Sequence, residues 1–321
     1  MKRTTMTSPI VKIQVTENKA PSVDDPCMLN ATNDEMLDYL SVMLHQEEHN
    51  YKCKNYFSRI PSSMKVRFVD EECREKMVGW CFHIIDSFTY DRELMYFTVS
   101  YLDRYLQTVY GWEALESREH FKTAVISSLY LAIKTHHSEV LNPQSLSTLS
   151  QLPEEDIIST ELKILSSLDW KLHPPTPFSY LPIYFSKLQM DEINQKIYQV
   201  ISYQIELSVC YYSYSQVKPS IISYAALANA IQLFDDIDDS STLLYQLRQM
   251  ANISESEAIR VQKMLLQTLT LNLDTKNAMY MSLRLPHVKN KIYHSKEEEE
   301  EEASESISSP RSVSVCSKKI V

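Results

Sequence analysis

The sequence predicts an all-α protein, two five-helix bundles in tandem with an extra N-terminal helix. Three observations carry this expectation. A chain of 321 residues with 44% apolar content exceeds one ordinary domain and can fill two cores. Only two glycines, Gly79 and Gly111, occur, against about 7% in typical proteins, so glycine-punctuated β architectures are disfavoured. Apolar residues also recur at helical spacing along most of the sequence, in units separated by proline and polar turns.

Residues 1–30 are polar and predicted to be disordered. A helix near 34–49 follows, with Met36, Leu40, Met43 and Leu44 on one side, inside a segment of helix and linker spanning 31–66. The first bundle, residues 67–173, is expected to hold helices near 68–87, 91–108, 119–135, 143–150 and 154–168. It ends at LHPPTP, residues 172–177, where prolines forbid helix continuation. The second bundle, residues 174–275, resumes with helices near 178–188, 192–213, 219–235, 240–250 and 255–272. Five helices on each side of the prolines imply a duplicated all-α unit. Residues 276–321 form an acidic, serine-rich tail, also predicted to be disordered.

Composition excludes several function classes. GxGxxG and GxxxxGK[ST] are absent, so the usual glycine-built phosphate cradles cannot form. A net charge of -10 and a pI near 5.4 argue against direct nucleic-acid binding. The six cysteines contain no CxxC pair, which removes zinc-ribbon and thioredoxin-like motifs and predicts reduced thiols. MKRTT is not followed by a signal-peptide core, and no run of about 18 apolar residues occurs. A soluble protein of nucleus or cytoplasm, without membrane contact, is expected.

Charges on apolar faces then point to the site. In FTVSYLDRYLQTVY, Asp103 lies between Val99 and Tyr96 on a helix that is apolar nearly all round, where a carboxylate must find a cation or a proton. Arg74 of CREKMVGW is the obvious partner. Glu161, in DIISTELKILSSLDW, is surrounded by Ile157, Ile158, Ile164, Leu165 and Leu168. Either it is neutralised in the core, or its face stays exposed until a partner covers it. Lys134, flanked by Thr123, Ser127 and Tyr130, reads alone as a solvated lysine.

CREKMVGW, VSYLDRYL, SSLYLAIK and STELKILSSLDWKLHPPTP, taken in order and spacing, resemble the cyclin box. The resemblance is strong over residues 65–172 and looser from TPFSYLPIYF to KPSIISYAALANAI. It implies two tandem cyclin boxes and a non-catalytic subunit that binds and activates a cyclin-dependent Ser/Thr kinase in cell-cycle control. It further implies that Arg74 and Asp103 form a structural ion pair. Lys134 and Glu161 would hold backbone groups of the kinase's regulatory helix, with Leu165 and Leu172 packing on that same helix. The TPFSY segment and the absence of RxxL lean towards G1 or D-type members, although LxCxE is also missing.

Two departures matter. KTHHSEV stands where family members commonly carry an acidic pair after the lysine. The family's substrate-docking patch maps to Cys73, Lys76, Met77 and Trp80, with Lys122 near its rim, so a lysine interrupts the groove for RxL-motif substrates or inhibitors. Ser309, in ISSPRS, is a proline-directed phosphosite by pattern. Its acidic, serine-rich surroundings resemble the tails of unstable cyclins, which implies recognition by a ubiquitin ligase.

Competing motifs are weaker. HQEEH, residues 45–49, has histidines at i and i+4, but glutamate does not follow the first histidine as metalloproteases require, so a solvated helix face is expected. No metal site, cofactor or catalytic constellation is recognisable. Two other readings are an unrecognised all-α enzyme and a cyclin-fold transcription factor. The latter would be expected to show a basic surface and often a cysteine-rich ribbon, and the sequence shows neither.

Overall fold

Thr32 opens the first helix, α1 (Asn33–His49): its side chain accepts from the Glu35 amide while Glu35 reaches back to the Thr32 amide, a reciprocal cap contributing about 1 kcal/mol. The computed structural model describes residues 32–60, 68–138, 141–188, 195–234 and 240–274, all within one compact unit. Among these residues there are twelve α-helices, two short 3-10 turns and no strand. The all-α expectation therefore holds. The tail with Ser309 lies outside the described residues.

The first bundle comprises α2 (Glu71–Ser87), α3 (Leu94–Leu106), α4 (Val109–Glu116), α5 (Arg118–His136), α6 (Pro143–Ser150) and α7 (Glu154–Ser167). Asp70 caps α2 by accepting from the Cys73 amide at 2.8 Å. The helix therefore starts at Glu71 rather than near 68. At the centre stands α5, whose run from Thr123 to Ile133 is buried on every side and which packs on α2, α3, α4, α6 and α7. Each fully buried aliphatic residue there stabilises the fold by about 1.5–3 kcal/mol. Ser127 and Ser128 suit this crowded position because their hydroxyls bond the carbonyls of Ile157 and Ala124.

One helix of this bundle, α4, falls where the sequence predicted none. Eight residues containing a glycine give little periodicity. Thr108 nevertheless caps it, accepting from the Gly111 amide at 3.1 Å. Gly111 is required there, since a Cβ would overlap the Tyr105 carbonyl and the Leu106 backbone. With so few glycines, left-handed turn positions fall to Thr89, Gln151, Asp169, Trp170 and Asn252, at about 1–2 kcal/mol each for such residues.

The second bundle comprises α8 (Pro177–Lys187), α9 (Gln195–Cys210), α10 (Pro219–Phe234), α11 (Ser240–Met250) and α12 (Glu255–Asp274). Here α10 is central, buried from Ser220 to Ile231 and packed on α8, α9, α11 and α12. α9 stops at Cys210, before the expected 213, because Tyr212–Tyr214 tightens into a 3-10 turn. Polar ties join the bundles: Arg92 grips Asp86 at 2.7 Å and reaches Glu206 of α9 at 2.6 Å. Glu93 accepts from Thr176, the residue that caps α8.

α1 is fastened to the second bundle by a carboxylate that the sequence pattern assigns to a solvated face. Glu47 is 5% exposed and accepts from the Tyr180 hydroxyl at 3.0 Å, the Ser220 amide at 3.0 Å and the Ser220 hydroxyl at 2.6 Å. It thereby caps the N-terminus of α10 from another helix, where the helix dipole favours an anion. His45 and His49, also of HQEEH, stack at 4.2 Å, and His49 Nδ1 lies 3.0 Å from the His45 carbonyl.

Burial raises the Glu47 pKa, opposed by its bonds to Ser220 and Tyr180. A raised folded pKa means that the native state holds the proton more tightly, so the cost of burying the charge is fully present above that pKa and disappears below it. Glu47→Ala is expected to lose about 1–3 kcal/mol at neutral pH by leaving donors unsatisfied. Glu47→Gln, which can still accept from Tyr180 and the Ser220 amide, should melt close to wild type at pH 7. Relative to wild type, the Gln variant should lose ground as the pH falls through the Glu47 pKa. Thermal melts of both variants between pH 4 and 8 check this.

Candidate functional site

The structural pair comes first, since it holds the frame. Asp103 accepts from Arg74 Nε at 2.9 Å and Nη2 at 2.7 Å, and from the Tyr56 hydroxyl at 2.8 Å. Both partners are buried, Arg74 at 1% and Asp103 at 3% exposure. Burial alone would lower the Arg74 pKa, yet Asp103 beside it raises the value overall. A fork-on-carboxylate contact is the strongest form of this interaction. Arg74 also lies over the Tyr212 ring and donates to the Cys210 carbonyl at 3.3 Å, so the pair locks α2, α3 and the end of α9 together. Tyr56 and Tyr212 had no periodic signal, because both lie in short turns.

Lys134 and Glu161 meet. Lys134 Nζ lies 2.7 Å from Glu161 Oε1, and 5.0 Å from the centre of the Tyr130 ring. The two sides differ in burial: the lysine side chain is 40% exposed and the glutamate 5%. Lys134 is therefore not a free solvated lysine, and Glu161 is neutralised from the neighbouring helix. α5 and α7 pack along their length, which fixes the pair's position. Among the described residues nothing donates to Oε2 of Glu161, and the ammonium keeps two further donors.

The apolar frame divides in two. Ile157, Ile164, Leu165 and Leu168 turn into the core, while Ile158 and Leu162 stay 38% and 56% exposed. Sequence reasoning missed Leu162, although it stands at i+4 from Ile158. Leu172 is half-buried, and its carbonyl is pinned by the Tyr101 hydroxyl at 2.5 Å, with His136 Nε2 at 3.1 Å. Burial lowers the His136 pKa, opposed by the bond to Leu172, and its ring stacks on Phe97 at 3.6 Å. A buried carboxylate and a half-exposed ammonium beside two exposed aliphatics can read backbone carbonyl and amide groups on a partner.

On α2, Cys73, Met77 and Trp80 are half-buried and follow one another at helical spacing. Lys76 is exposed and meets Glu72 one turn back at 2.5 Å, so its charge is already offset on the rim. Lys122 is half-buried on α5. Among the described residues no cluster of three or more His, Cys, Asp or Glu residues can hold a metal, and the cysteines are free. No helix among them is long and apolar enough to cross a membrane.

Comparison with known families decides what this frame is. The family "Cyclin, N-terminal domain" matches residues 38–173, and "Cyclin, C-terminal domain" matches residues 175–306. The chain belongs to the cyclin family. It is 27% identical over 166 residues to Cyclin-D4-2 of Oryza sativa subsp. japonica, covering 50% of this chain and 42% of that one. It is 26% identical over 234 residues to G2/mitotic-specific cyclin-B of Patella vulgata, covering 72% of this chain and 53% of that one. The cyclin thus spans about half the length of these curated relatives. A solved viral cyclin from herpesvirus saimiri has the same fold, with a TM-score of 0.58 at 18% identity over 73% of this chain and 97% of that one.

Proposed function

We propose that this cyclin is the non-catalytic regulatory subunit of a cyclin-dependent Ser/Thr kinase acting in cell-cycle control. The observation that carries the proposal is the Lys134–Glu161 pair, 2.7 Å apart, with spare donors and a spare acceptor next to Ile158 and Leu162. Such a surface suits backbone groups where a partner's helix begins or ends: amides left free at an N-terminus can donate to the carboxylate, and carbonyls left free at a C-terminus or in the adjoining turn can accept from the ammonium. Leu172, half-buried, would extend its apolar border, whereas Leu165 is turned into the core and offers the partner little. Mechanically, the cyclin would act by binding energy alone, favouring the kinase conformation whose ATP site is assembled. Affinity capture from native extract, with wild-type and Glu161→Ala proteins as bait, tests this reading. Recovery of a cyclin-dependent kinase by the wild type alone is expected, and equal recovery by both would remove the site.

The half-buried strip of Cys73, Met77 and Trp80 supports docking of RxL-type motifs on α2, with Lys76 and Glu72 forming a charged rim. A G1-type role has the TPFSY segment and the absence of RxxL in its favour, while similarity extends to D, B and E types. The setting would be nucleus or cytoplasm.

The tail would govern lifetime through a ubiquitin ligase. Phosphorylation of Ser309 adds about -1.5 to -2 charges to an already acidic stretch. Deleting residues 295–321 is expected to lengthen cellular half-life without changing kinase activation, and Ser309→Ala to reproduce part of that lengthening. Pulse-chase measurement of both variants checks the outcome.

A further inference from the structure

Between α1, α3 and the second bundle lies a cleft of about 230 Å³, with Arg104, Tyr51 and Lys218 among the residues that line it. Sites for drug-sized molecules run to roughly 300–1,000 Å³, so this one suits a small ion or a single side-chain head group. Arg104 is 4% exposed and has no carboxylate partner among the described residues. Its contacts are one bond from Nη1 to the Lys171 carbonyl at 3.0 Å and the face of the Tyr51 ring at 4.9 Å. A guanidinium has five N–H donors, so most of this fork is unused. The nearest acid in sequence, Asp103, is fully engaged by Arg74 and Tyr56.

The other charges around the cleft leave it cationic. Lys52 and Lys218 both turn to a single carboxylate, Glu48, at 2.9 and 2.6 Å; those two bonds hold the Glu48 pKa down at about 2. Glu47 has both oxygens occupied by Tyr180 and Ser220, and Glu257 accepts from Ser254. Arg260 reaches Met264 Sδ, at 3.2 Å, from an exposed position. Five cationic residues thus face four carboxylates, and of the two arginines without an acid, Arg104 is the buried one.

We propose that this cleft is a binding site for one oxyanion, a phosphate or carboxylate group, with Arg104 as its anchor and Lys52 and Lys218 at its rim. A buried charge without a counter-ion is costly, and a planar fork matches two oxygens of one oxyanion at once. Occupancy would tie α3 to α1 and the start of α10, stiffening the junction between the bundles. Arg104 bonds the Lys171 carbonyl, next to Leu172, so the site is tested on the isolated protein, where no kinase is present.

Thermal melting of the isolated full-length protein tests it, with inorganic phosphate titrated against sodium chloride at matched ionic strength and pH. The wild type is expected to show a saturable rise of several degrees, as follows when a ligand binds only the folded state. Arg104→Gln should abolish that rise. Should that variant fail to fold, Lys218→Met is expected to weaken the phosphate midpoint several-fold. Parallel titrations with capped phosphoserine and capped aspartate separate the sources. A tighter midpoint for either capped residue assigns the site to a side chain presented by a protein, and a response to inorganic phosphate alone assigns it to the free ion. Absence of a saturable rise with all three ligands, or an unchanged midpoint in both variants, overturns the proposal.

Discussion

Asp103→Ala is expected to lower the melting temperature by about 10 °C, the largest loss of stability expected from a single substitution in this fold. Removing the carboxylate leaves the Arg74 guanidinium, 1% exposed, without a counter-ion, and breaking one partner of a buried pair costs about 3–5 kcal/mol. For domains of this size each kcal/mol corresponds to roughly 2–4 °C. The Tyr56 hydroxyl loses its acceptor at the same time. The loss would reach both bundles, since Arg74 also bonds the Cys210 carbonyl. Double replacement Arg74→Met with Asp103→Leu should recover much of the stability, because a well-packed apolar pair avoids the desolvation cost of two charges. A double-mutant cycle by thermal or denaturant melting reads both effects. Equal melting of wild type and Asp103→Ala would show that the pair does not hold the frame.

Glu161→Ala should weaken kinase affinity by about 2–5 kcal/mol, roughly 30-fold or more in Kd, while the isolated cyclin stays folded. The variant frees Lys134, whose side chain is 40% exposed and can hydrate. Lys134→Ala is expected to weaken binding by a similar factor but also to lower the melting temperature, because it strands a glutamate that is 5% exposed. This asymmetry follows from burial, which the helical pattern of either residue does not reveal. Calorimetric titration against the captured kinase, with a melt of each variant, separates the two contributions. Unchanged affinity in both variants would move the binding surface elsewhere.

The helices were legible because apolar residues recur at helical spacing along most of the sequence, and proline placed the division between bundles. The site was legible where an acid interrupts an apolar stripe, as at Asp103 and Glu161. The same signal stood in α1 and was missed. Glu47 is at i+4 from Met43 and i+7 from Leu40, both buried, so it continues their stripe; the histidines beside it drew attention to the opposite face. Helix wheels do not say which neighbouring helix supplies a partner. The pairing of Lys134 with Glu161 and the cap that Glu47 lends to Ser220 depend on contacts 27 and 173 residues apart in sequence. Helix α4 was hidden for a different reason: its glycine reads as a breaker, and only the close approach to Tyr105 explains why it is there.

The most direct test of the central claim is reconstituted kinase activity. Full-length cyclin, wild type or Glu161→Ala, is added to a monomeric cyclin-dependent kinase that is inactive alone, and phosphate transfer to a peptide substrate is followed against cyclin concentration. The account predicts saturable activation by the wild type and a midpoint at least 30-fold higher for Glu161→Ala, from a loss of about 2 kcal/mol or more. Activation by both proteins with the same midpoint, or by neither across the cyclin-dependent kinases, would contradict it.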